Sequence, residues 1–141
     1  MILKKFFIII NLLFTKKISL RSPIQHDFVV FDIKSLNDVK SFFDKYDYFI
    51  LETRINILKK IYLSPSVIFG IIKNFHSGNI FTVYLLSLLE IIKPKVVITK
   101  IDNSFKFSEL ARICEKKYTF VGIQLLEICF LKLEIDTDLL I

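Results

Sequence analysis

Four short apolar runs, each ending in or next to a polar residue, limit what this chain can build: "FVVFD" (28–32), "YFILETR" (48–54), "KVVITKI" (95–101) and "YTFVGIQ" (118–124). Their β-branched and aromatic residues follow one another without a polar residue at every second position. That is the mark of strands buried on both faces, and strands of that kind belong to parallel sheets. The segments between them have helical spacing. Ser35 with Asp38 three residues on resembles a capping box, and Leu36, Val39 and Phe43 then repeat on one face up to about Lys45. Residues 55–63 also read as helical until Ser64-Pro65 interrupts them, where Ser64 can cap a new helix with Pro65 in its first turn. "NFHSGN" (74–79) is a loop. Beyond it Phe81, Leu85, Leu88 and Ile92 share a face, but Leu86, Leu89 and Ile91 are apolar too, so this helix is expected to be covered on most sides, and Pro94 follows its end. Phe107, Leu110, Ala111 and Cys114 mark the stripe of a last helix. The order β-α-β-α-α-α-β-α-β predicts an α/β fold: an open, mostly parallel Rossmann-like sheet with flanking helices.

The length of 141 residues suits one domain with a sizeable core. Apolar residues make up 53% of the chain and the mean hydropathy is +0.54, values that raise the question of a membrane. Much of that excess is Ile and Phe, and Lys far outnumbers Arg, a bias that an AT-rich coding sequence also produces. Composition alone therefore does not assign the chain to a membrane. The net charge of +6 is concentrated in one place: Lys4, Lys5, Lys16, Lys17 and Arg21 precede the first acid, Asp27. The remainder is nearly neutral and lacks the spread of Lys, Arg and exposed aromatics that a phosphate backbone requires, which argues against nucleic acid as a partner.

The N-terminal segment 1–26 is basic and apolar. Its run Phe6–Phe14 would make a helix about 14 Å long against a hydrocarbon core of about 30 Å, too short to span. Lys4-Lys5 and the apolar run imitate a signal peptide, but Thr15-Lys16-Lys17 follows in place of a small-x-small cleavage site. Two readings stay open: a helix lying in the membrane interface through residues 1–21, or a helix or strand of the core. The expected location is cytoplasmic, with peripheral contact at the inner face of the cytoplasmic membrane as the first reading's consequence. Cys114 and Cys129 form no CxxC, and His26 and His76 have no partner at ligand spacing. No metal and no cofactor is expected.

Open parallel sheets bind ligands beyond the carboxyl ends of their strands, where loops meet helix N-termini. The residues there are Asp32, Thr53-Arg54, Asp102-Asn103-Ser104 and Gln124. Arg54 can pair with a carboxylate or phosphate, or serve as an ion-pair partner for Asp32 or Asp102. Asn103 or Ser104 can cap the following helix, and capping alone explains such residues at any helix start. No GxGxxG or GxxxxGK[ST] is present, which excludes the usual dinucleotide and P-loop sites.

Taken together, "FVVFD", "ILETRIN" and "IIKPKVVITKIDNSFKFSELARICEKKYTFVGIQ" resemble the N-terminal half of a bacterial family of surface carbohydrate biosynthesis proteins, transferases with a glycosyltransferase-B-like architecture. Asp32, Thr53, Arg54, Asn56, Pro94, Asp102, Asn103 and Gln124 carry the likeness, which covers residues 28–124. The resemblance implies sugar transfer from an activated donor to a glycan or lipid-linked acceptor. Asp102 or Asp32 would be the general base for an acceptor hydroxyl, and Arg54, Asn103, Ser104 and Gln124 would hold sugar or phosphate groups. The family pattern continues past Gln124 with Asn-Gly and a second α/β domain, whereas here residues 125–141 read "LLEICFLKLEIDTDLLI". The expectation is thus an α/β domain over 27–124 with an atypical tail, a truncated chain inactive without a second domain. The alternatives are a non-catalytic module docking on a membrane or partner subunit, and a product with no function of its own.

Overall fold

The computed structural model describes residues 16–33, 40–41, 43–54, 57–100 and 105–123. In chain order the elements are β1 (Lys17–Ser19), β2 (Phe28–Phe31), β3 (Tyr48–Leu51), β4 (Lys60–Tyr62), α1 (Pro65–Lys73), α2 (Ile80–Ile92), β5 (Val96–Thr99), α3 (Phe105–Cys114) and β6 (Thr119–Gly122). Four strands form an all-parallel sheet in the order β3-β2-β5-β6. The fold class read from the sequence is the one observed: α/β, with a Rossmann-like open sheet and flanking helices.

The pleat explains why the strand runs are apolar throughout. On one face Val29, Phe31, Leu51 and Val97 pack against α2 and α3 through Leu85, Leu89 and Leu110. On the other, Val30 and Ile98 pack on Phe43, which with Lys40 and Ser41 is helical in the segment between β2 and β3. The rest of the capping box read at Ser35 and Asp38 lies outside the described residues.

Helix ends follow their local chemistry. Ser64 is the N-cap of α1, its Oγ accepting the Val67 N–H at 3.4 Å, with Pro65 in the first turn. Asn79 caps α2 by accepting the N–H groups of Phe81 and Thr82 at 3.1 and 3.0 Å. Lys93 closes α2 in the left-handed region at φ 51° before Pro94 ends any continuation. Residues 82–89 of α2 are all buried, as expected of a helix apolar on every side. At 13 residues it is about 20 Å long, and among the described residues no helix is long and apolar enough to cross a membrane.

Over 57–63, the described part of the helix expected at 55–63, no helix forms. The Ile57 and Leu58 N–H groups donate to the Arg54 carbonyl, and the chain then extends as β4. The cause is a partner that local spacing cannot reveal: β1 lies alongside in parallel, pairing Lys17 with Lys60 and Ser19 with Tyr62. A run this short satisfies both periodicities, and the tertiary partner decides between them. The same pairing brings Lys17–Ser19 of the N-terminal segment into the fold as a strand. Residues 1–15 lie outside the described residues.

The close packing of α1 on α2 depends on Gly70. A Cβ there would sit 2.9 Å from the Ser87 Cβ, while the Ser87 hydroxyl is turned inward to donate to the Val83 carbonyl at 2.7 Å. Gly70→Val should therefore force the helices apart and cost about 2 kcal/mol, read as a lower urea midpoint at unchanged slope.

Candidate functional site

β2 sits between β3 and β5, and the chain leaves β2 toward β3 but leaves β5 toward β6. The strand order reverses there, and at such a point the loops beyond the carboxyl ends part to leave a crevice. α2 and α3 both begin at this edge of the sheet, since each runs back toward the start of the strand that follows it. The edge therefore collects strand ends and two helix N-termini.

Asp32, the residue after β2, is 2% exposed and adopts φ 63°, a left-handed conformation that Asp tolerates better than most residues. The turn swings its carboxylate over the end of β3. Oδ1 accepts the Thr53 N–H at 2.8 Å and the Thr53 hydroxyl at 2.9 Å, and Oδ2 lies 2.8 Å from the same hydroxyl. The Asp32 N–H meanwhile donates to the Leu51 carbonyl at 3.0 Å. Asp32 and Thr53 thus clamp the two strands together. With its oxygens engaged in this way, Asp32 is placed to fix geometry rather than to take a proton from a substrate.

Glu52 occupies the position between these contacts. Its Oε1 accepts the Ile33 N–H at 3.1 Å, and its Oε2 is buried with no hydrogen-bond donor among the described residues. Burial pushes the Glu52 carboxyl above the usual glutamate value; the Ile33 N–H opposes this, the neighbouring Asp32 carboxyl adds to it, and Arg54 draws it back. A carboxyl raised in this way holds its proton more tightly than an ordinary glutamate and, once ionised, is the stronger base.

Beside Glu52 lies a cavity of about 230 Å³, lined by Leu58, Lys59, Lys60, Tyr62 and Tyr84 among others. The Tyr84 hydroxyl accepts the Tyr62 N–H at 2.9 Å, and its phenol is pushed up to about 12 by burial, so it stays neutral. The Lys60 ammonium stands 4.5 Å from the centre of the Tyr62 ring. The cavity is below the roughly 300–1,000 Å³ of drug-sized ligand sites and suits a single small polar group with apolar faces. Elsewhere on the carboxyl edge, Lys106 on α3 donates to Thr82 at 2.6 Å and to Glu109 at 2.9 Å. Burial acts to raise the Glu109 carboxyl, but the Lys106 and Thr82 bonds prevail and hold it low.

Of the residues expected at the site, Asp32, Thr53 and Arg54 come together at the ends of β2 and β3, with Arg54 exposed. Asp102, Asn103, Ser104 and Gln124 lie outside the described residues, as does Asn56. Glu52, Tyr62, Tyr84, Lys59 and Lys60 were not singled out in the sequence. Glu52 was legible as the residue adjoining Thr53 at the strand end, whereas Lys60 and Tyr62 were concealed by the helical reading of 55–63. His26 is at the opposite edge, its Nδ1 3.0 Å from Asp47 Oδ2. Cys114 is buried, and burial pushes its thiol up to about 11, which makes it a core residue and no nucleophile.

Compared with known proteins, the chain matches no family model, no curated protein and no solved structure.

A raised carboxyl stabilises the fold while protonated. The contribution of Glu52 is fully present below the unfolded value near 4.5 and is lost as pH rises through the higher folded value. Glu52→Gln cannot ionise. Relative to wild type it should gain stability across that window and hold a constant advantage above it, measured by urea unfolding at a series of pH values.

Proposed function

We propose that this domain binds a sugar hydroxyl at the carboxyl edge of its sheet and serves the acceptor side of a glycosyl transfer in bacterial surface polysaccharide assembly. The observation that carries the reading is Glu52, a carboxyl of raised proton affinity held against the buried Asp32–Thr53 clamp and opening on a small cavity with tyrosine and lysine in its wall. A carboxyl with raised proton affinity is, in its ionised form, a stronger base toward an alcohol than an ordinary surface glutamate. Tyr62 offers an apolar ring to a sugar face, while Lys59, Lys60 and Arg54 offer cations to hydroxyl or phosphate oxygens.

In this reading Glu52 takes the general-base role for which the sequence offered Asp32 and Asp102. Asp32 positions it, and Arg54 tunes it. The resemblance to glycosyltransferase-B-like transferases supports the choice of sugar chemistry, and the Rossmann-like sheet is compatible with it. In such transferases most contacts to the activated donor come from a second α/β domain, so acceptor binding is the property to measure on this domain. The reading places the protein on the cytoplasmic side, where activated sugar donors are made.

Two backbone amides report on the site directly, because the Ile33 N–H bonds to Glu52 and the Thr53 N–H bonds to Asp32. Titrating the labelled protein with N-acetylglucosamine and galactose should shift both amide resonances, and Glu52→Gln should weaken the response about tenfold while leaving the fold intact. Unmoved Ile33 and Thr53 resonances at millimolar sugar, in a folded sample, would remove the proposal.

A further inference from the structure

The outer face of α1 has no partner among the described residues. Val67 and Gly70 turn inward, but Ile68, Phe69, Ile72 and, just past the helix, Phe75 are 46%, 70%, 68% and 61% exposed. Spacings of three and four residues set them in one stripe along a single helix side. Scattered exposed apolar residues need no explanation, but a continuous aliphatic and aromatic stripe marks a surface that something covers.

The chemistry around the stripe says what. Phe69 and Lys73 border a groove of about 710 Å³ whose wall also carries Lys93, Lys95 and Lys117. Among the described residues that line it the one acid is Glu90, recessed and held between Lys73 at 3.4 Å and Lys117 at 3.1 Å. Burial acts to raise the Glu90 carboxyl, yet Asn74, Lys117 and Lys73 bring it below the usual range, so it stays ionised and fixes the two ammonium groups at the rim. Lys95 pairs with Asp27 at 3.2 Å, and the Lys73, Lys95 and Lys117 side chains remain 59%, 74% and 56% exposed, so the four lysines outnumber the two acids beside them.

We propose that this face docks on an anionic bilayer: the Ile68–Phe75 stripe enters the acyl boundary while Lys73, Lys93, Lys95 and Lys117 meet lipid phosphates. Apolar side chains flanked by lysines are the composition of an interfacial helix, and the attraction grows with anionic lipid content. Charge selects the bilayer over a second copy of the chain, because a two-fold contact would set the same four lysines against each other. Lys93 and Lys95 precede β5 and Lys117 precedes β6, so the patch belongs to the amino edge of the sheet. Docking there leaves the Glu52 edge open, and the inference stands independently of the sugar-binding reading.

The test uses the full chain and vesicles of phosphatidylcholine with and without about one-third phosphatidylglycerol. The sequence contains no Trp, so Ile72→Trp installs a sole indole reporter in the stripe. Its emission should shift to the blue with the anionic vesicles and stay unchanged with phosphatidylcholine alone. Lys93→Gln with Lys95→Gln should weaken vesicle binding roughly tenfold, and Phe69→Ser with Phe75→Ser should abolish the cosedimentation, both with the circular dichroism of the wild type. Cosedimentation with an unshifted indole would mean that another segment binds the lipid, and would overturn the proposal. So would absence of cosedimentation, or a lipid-free dimer that the two serine changes dissolve.

Discussion

A buried carboxylate at the end of the central strand organises this molecule. Asp32 leaves β2 in a left-handed turn that few side chains tolerate, and the turn is held because its carboxylate captures both the amide and the hydroxyl of Thr53. An acid so deeply buried is costly unless its lone pairs are filled. Here the filling groups belong to the neighbouring strand, so the compensation also fixes the register of β2 against β3. Glu52 is then carried into position by its place in the chain, between Leu51 in the ladder and Thr53 in the clamp. Its raised proton affinity follows from burial beside a carboxylate that cannot move away.

The helices supply the other half of the arrangement. α2 is buried on nearly every side, and its apolar residues give the sheet a wide face to pack on. That burial also places Tyr84 against Tyr62 and thereby closes the cavity beside Glu52. α1 turns Val67 and Gly70 inward along a narrow seam, which leaves its opposite side apolar and exposed. One helix is thus used as core and its neighbour as surface. The two edges of the sheet are correspondingly different: the Asp32–Thr53 clamp with Glu52 lies at the carboxyl edge, and the Glu90–lysine cluster beside the apolar stripe lies at the amino edge.

Much of this was legible in the sequence because its strands are buried on both faces. Val29, Val30, Val97 and Ile98 announce strands without needing alternation, and Ser64-Pro65, Asn79 and Pro94 mark helix boundaries by chemistry that acts within a few residues. The β1–β4 pair was not legible. Lys17–Ser19 and Lys60–Tyr62 lie far apart in the chain, and neither has a pattern that distinguishes strand from helix on its own. The site was half legible for the same reason. Asp32 and Arg54 stand at strand ends that the sequence reveals, whereas the cavity wall depends on β4, and the importance of Glu52 depends on a left-handed turn at the end of the neighbouring strand. An outward-facing apolar stripe on α1 is likewise invisible to periodicity, because that helix is apolar on its inner side as well.

The chemistry of the carboxyl edge depends on Glu52 retaining its proton beyond the range of an ordinary glutamate. Carbon-detected NMR of the side-chain carboxyl, followed through a pH titration of the folded protein, measures this at the atom concerned. The expected midpoint lies above 4.5; a carboxyl that ionises at or below that value would contradict the proposed role of Glu52.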